Sequence, residues 1–174
     1  MNTDWQRRRS AFNHDWLKNR FLIGIGSFQR ILAGEVENRE TEIRFIRETL
    51  PQWPQRQAEV AHLVDNFETE MSPRNLFQCS PLNCCGPATT SWLPDLVHRL
   101  WRHRVQVDTL CSDARDALGK ANDAYIRVAE VITVYADGNI EAVNTVRGRL
   151  DAFRAACEEV SSSISKFPDR VEVI

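Results

Sequence analysis

Counting alternately three and four residues from Val97 meets Leu100, Arg104, Val107, Cys111, Ala114, Leu118, Ala121, Tyr125, Val128, Ile132 and Tyr135, and only Arg104 interrupts the apolar run. The same count from Val143 passes through Val146, Leu150, Phe153, Cys157, Val160, Ile164 and Phe167 with no polar member. Apolar residues at this spacing share one face of an α-helix, so the pattern predicts two long helices, about 94–136 and 139–167, each burying a seam. Between them stands ADGN, residues 136–139. Gly138 can take the left-handed conformation that ends one helix and Asn139 can cap the next, which makes the pair an antiparallel hairpin.

The amino-terminal half repeats the period more loosely. Leu17, Phe21, Ile25, Phe28, Leu32, Val36, Ile43, Ile46 and Leu50 stay on one face at about 100° per residue and predict a helix over about 10–50. Phe12, Trp16 and Ile23 form a second face, so neighbours cover this helix on more than one side. Gly24, Gly26 and Gly34 each weaken it by about 1 kcal/mol relative to alanine, which suggests a bend near Gly24–Gly26 or close packing there. Pro51 and Pro54 are expected to stop it and start another helix over about 54–71, with Val60, Val64, Phe67 and Met71 buried and Ser72-Pro73 as its end. Nowhere do apolar and polar residues alternate as in a strand, and no internal repeat is present. The expected fold is all-α: one domain over residues 1–174, an antiparallel four-helix bundle in up-down-up-down order, with a cysteine-containing loop at about 72–93.

Composition agrees with this. A chain of 174 residues, 43% hydrophobic and 26% charged, can bury a sizeable core and lacks the signature of disorder. The net charge of −2 hides an asymmetry: residues 1–34 hold six Lys/Arg against Asp4 and Asp15, a balance of +4, which leaves −6 for the rest. That net charge makes nucleic acid an unlikely partner, while the basic amino terminus is the part suited to an anionic surface. No apolar run approaches the roughly 18 residues a membrane span requires. The stretch FLIGIGSF at 21–28 is short and follows twenty mostly polar residues, unlike a secretory signal, so a cytoplasmic location is expected; a mitochondrial targeting segment is the weaker reading. Five cysteines, an odd number, then read as mostly free thiols.

Three of those cysteines crowd into FQCSPLNCCGPATTSW, residues 77–92. Structural zinc takes four ligands and thiolates usually come as Cys-x-x-Cys, so Cys79, Cys84 and Cys85, with His98 or His103 as a fourth, match poorly. A packed loop with free thiols and no metal is the preferred reading, with a zinc or thiol-based sensor behind it. Cys111 and Cys157 occupy seam positions and read as small apolar side chains. Glu59 and His62 are the one Glu-x-x-His pair, whereas a di-iron bundle needs two, so they read as a solvated face. No nucleophile elbow, zincin or phosphate-loop motif occurs, and GIGSFQ at 24–29 lacks the lysine and third glycine of the last. The chain reads as non-enzymatic, with no cofactor.

HRLWRHR at 98–104 places Arg99, Arg102 and Arg104 in the first turns of a helix, where the macrodipole favours negative charge. This is a solvated face or an anion-binding one, with Trp101 as its lone aromatic. Two functions from different classes follow. One is an interaction or scaffold module that binds a protein partner or a second copy of itself, because the 94–136 helix outruns its hairpin partner and leaves seam uncovered. The other is a membrane-active bundle of the cell-death or pore-forming type, with Arg7, Arg8, Arg9, Trp16 and Arg20 of the first helix, and Arg99 and Arg102, meeting anionic lipid.

Overall fold

The computed structural model describes residues 16–71 and 93–168, and every element among them is a helix. The first of four helical segments among the described residues joins a π-helical stretch, Trp16–Phe21, to α1, Leu22–Leu32. The second runs from α2, Arg39–Arg44, through a π-helical stretch, Phe45–Thr49, and a 3-10 turn, Leu50–Gln52, into α3, Trp53–Glu70. The third is α4, Leu93–Ala136, and the fourth is a 3-10 turn, Ile140–Ala142, that leads into α5, Val143–Ser165. The cysteine stretch with Cys79, Cys84 and Cys85, and the arginines Arg7, Arg8 and Arg9, lie outside the described residues.

The amino-terminal half divides elsewhere than its periodicity predicts. The chain breaks at Gly34, not at the prolines. Gly34 has φ +75°, and its N–H donates to Ile31 O at 3.0 Å while Glu35 N–H donates to Arg30 O at 3.1 Å. This is a Schellman end, in which a left-handed residue lets two amides satisfy carbonyls of the last turn. Asn38 then caps α2 by accepting from the Thr41 amide at 3.1 Å, with Glu40 and Glu42 favourably placed in the first turn. At Pro51 and Pro54 the chain stays helical: Thr49, Leu50, Gln52 and Trp53 all keep right-handed helical angles. The prolines sit in the first turns of the 3-10 stretch and of α3, where a missing N–H costs no intrahelical bond. Gly24 and Gly26 lie inside unbroken α1, and both have neighbours. A Cβ at Gly24 would meet Thr49 Cγ2 at 3.5 Å, and one at Gly26 would meet Arg154 Nη1 at 3.3 Å.

The turn between α4 and α5 follows its sequence reading. Gly138 has φ +95° and donates to Tyr135 O at 3.0 Å, Asn139 N–H reaches Val134 O at 3.4 Å, and the Asn139 side chain accepts from the Glu141 amide at 3.1 Å. Beyond it the helices run side by side in opposite senses: Arg149 stands 3.6 Å from Glu130, and Glu159 lies 3.1 Å from Lys120. Val107, Cys111, Ala114, Leu118, Ala121, Val128 and Ile132 of α4 are buried against Val146, Leu150, Phe153, Cys157, Val160 and Ile164 of α5 and against Phe167 just past its end.

One ring gathers the core. Phe153 of α5 meets Phe21 at 5.6 Å, Trp53 at 5.2 Å and Tyr125 at 5.9 Å between centroids, so it touches a ring from each of the other three segments. Edge-on and tilted aromatic contacts of this kind add about 0.5–1.5 kcal/mol each beyond the area they bury.

Candidate functional site

The face left open belongs to the amino-terminal third of α4. This helix has 44 residues and α5 has 23, and among the described residues the polar links between α4 and its neighbours stop near Arg115, which donates to Asp65 at 2.9 Å and to Glu68. Residues 93–106, a stretch about 20 Å long at about 1.5 Å per residue, lie beyond those links. Of these, Leu96, Leu100 and His103 are half-buried on the side that continues the seam, while the other residues from 94 to 106 are exposed. Val97 was expected in the seam. At 58% exposure it lies outside, in a second row with Trp101 at 62% and Val105 at 44%. Each member of that row follows the last by four residues, a little more than one turn, so the three form a single file about 12 Å long.

Charge surrounds the row. His98, Arg99, Arg102 and Arg104 are all exposed, and the one acid in residues 93–107 is Asp95. Arg104 Nε stands 3.8 Å from Asp108, a loose exposed pair, and among the described residues no carboxylate partners Arg99 or Arg102. The His103 ring keeps a buried Nε2 with no hydrogen-bond partner, and burial lowers its pKa, so it favours the neutral form. His98, considered as a metal ligand, is exposed, and no metal-binding group of His, Cys, Asp or Glu is assembled among the described residues.

The other residues singled out from sequence do not gather into one site. Trp16 is only 7% exposed, stacked on Phe21 at 4.7 Å, with the Arg56 guanidinium 4.7 Å from its ring centroid. Arg20 is exposed. His62 is exposed, whereas Glu59 is half-buried and accepts from Arg56 at 3.0 Å. Among the described residues no helix is long and apolar enough to cross a membrane.

Two interhelical features carried no sequence signal. Tyr135 Oη donates to Glu42 Oε1 at 2.7 Å, and burial together with that bond pushes the phenol up to about 12. Gln29 accepts from Arg154 Nη1 at 2.7 Å and donates to Asp151, which ties α1 to α5. Both pairings join residues 93 or more apart, beyond the reach of any local pattern. The chain matches no known family model, no curated protein and no solved structure.

Proposed function

We propose that this chain is a non-enzymatic helical interaction module whose docking face is the projecting end of α4. The observation that carries the reading is the exposed file Val97, Trp101 and Val105. Covering these half-exposed side chains would contribute about 1 kcal/mol each, roughly half of what full burial gives, and a helix laid alongside covers such a file well. The module itself is proposed to be an up-down-up-down bundle on one core. Supporting that order, Glu42 near the start of the second segment meets Tyr135 near the end of α4, while Asp65 and Glu68 near its end meet Arg115.

A lipid-binding role for the first segment receives less support. It would have to extract Trp16, Leu17, Phe21, Ile25, Phe28 and Leu32, all buried, before any of them met a membrane.

Photo-crosslinking tests the proposal. A crosslinking residue at position 101 is expected to give one discrete protein adduct in cells, and the same residue at exposed position 123 to give none. The adduct partner, purified, is expected to lose at least about tenfold in affinity on Trp101→Asp. Identical adducts from both positions, or none from 101, would remove the reading.

A further inference from the structure

Resting on that docking face, we infer that its partner is an acidic amphipathic helix, which seats apolar side chains on Val97, Trp101 and Val105 and sets carboxylates against Arg102 and Arg104. At about 100° per residue the apolar file sweeps through about 80° of the helix surface, with Arg104 on one flank and His98 and Arg102 on the other. The flanks of the file are thus basic on both sides. With Asp95 and Asp108 against three arginines in residues 93–108, the stretch carries one uncompensated positive charge near the amino end of α4, where the helix dipole adds more. A partner with acidic flanks relieves both, and gains specificity as well as a faster encounter.

The same charges argue against the other occupants. A second copy laid along the file would set Arg102 and Arg104 against their own counterparts or against His98, an unfavourable juxtaposition of like charges. An anionic bilayer would meet Asp108, which lies in line with the file about one turn past Val105, 3.8 Å from Arg104. A flat surface also suits a single file of three residues less well than a helical ridge does.

Peptide selection tests the inference without a known partner. A displayed library of random 16-residue peptides is panned on the full chain and counter-selected on Trp101→Asp. Because Trp101 is 62% exposed, the variant is expected to keep the wild-type melting temperature, and Val97→Asp serves as a second, independent counter-selection. Peptides retained by the wild type alone are expected to be rich in Asp and Glu, with apolar residues at i, i+3 or i+4, and i+7. A synthetic peptide of that sequence is expected to bind at least about tenfold more weakly to Trp101→Asp and to the double variant Arg102→Glu/Arg104→Glu. Trp101-dependent peptides that are neutral or basic would overturn the acidic partner and leave the docking face standing. No Trp101-dependent peptide at all would overturn both. Trp101-dependent binding to phosphatidylserine vesicles, or a Trp101-dependent dimer in sedimentation, would replace the acidic helix with lipid or with a second copy.

Discussion

Phe153 and Trp53 pack edge to face, with centroids 5.2 Å apart and planes at 89°, where rings from all four helical segments meet. Neither ring is solvent-accessible to any extent that matters, at 0% and 1%. Truncating Phe153 to alanine is therefore expected to cost about 3–5 kcal/mol, through lost contacts and the cavity left behind. Trp101→Ala, a comparable loss of aromatic surface on the projecting end of α4, is expected to stay within about 0.5 kcal/mol of wild type. Urea titration of both variants measures the difference. Similar costs would mean that Trp101 is not free in the folded chain.

Four of the seven glycines form two opposite pairs. Gly34 and Gly138 hold φ of +75° and +95°, and alanine at either is expected to destabilise by about 1–2 kcal/mol. Gly119 and Gly148 lie inside α4 and α5 with nothing within 4 Å of an added Cβ. Alanine there is expected to stabilise by about 0.5–1 kcal/mol. Thermal melts of the four single variants check the signs, which matter more than the sizes.

The two left-handed glycines also show where the sequence was readable. In ADGN the stop and the following cap are adjacent, Gly138 beside Asn139, and the apolar seams end on either side. At Gly34 the cap Asn38 stands four residues on, and Val36 and Ile43 keep the helical period going across the break. Both turn out to be exposed, at 38% and 41%, so the apparent face was composed of two helices in chance register. The prolines misled for the complementary reason: a π-helical stretch and a 3-10 turn absorb their missing amides without a reversal of the chain. At the projecting end of α4, HRLWRHR was legible as unusual. That Val97 joins Trp101 and Val105 outside the seam was not, because where a seam ends depends on where neighbouring helices stop, and that is not local information.

Tyr135 offers a test in alkaline solution. Its phenol, pushed up to about 12 from an ordinary value near 10, favours the neutral form in the folded chain. The resulting stabilisation is fully present below about pH 10 and is lost as pH rises through about 12. Tyr135→Phe removes the bond to Glu42 and is expected to cost about 1–2 kcal/mol at pH 8. Its further loss between pH 9 and pH 11.5 is expected to be smaller than that of the wild type. Equal alkaline losses in the two chains would assign the transition to other groups.

Cys111 and Cys157 are free thiols with no solvent exposure. Burial pushes Cys111 up to about 11 and raises Cys157 as well, so neither is a thiolate at neutral pH. In a chain with Cys79, Cys84 and Cys85 replaced by serine, an aromatic disulfide reagent is expected to label both residues only after denaturant is added. Rapid native labelling of either one would show that the α4–α5 seam opens locally.

Helix α4 runs unbroken from Leu93 to Ala136, yet its two ends stand in different relations to the core. Amide exchange ought to grade along a single helix: residues 111–132, locked under the seam, open only when the whole chain unfolds, while residues 94–106 open by fraying at far lower cost. Such a helix reports occupancy at its loose end. A ligand seated on Trp101 would slow exchange over the projecting turns and leave the slow amides of the seam as they were. The free energy of such docking would be the gain from covering the exposed file less the cost of ordering these turns.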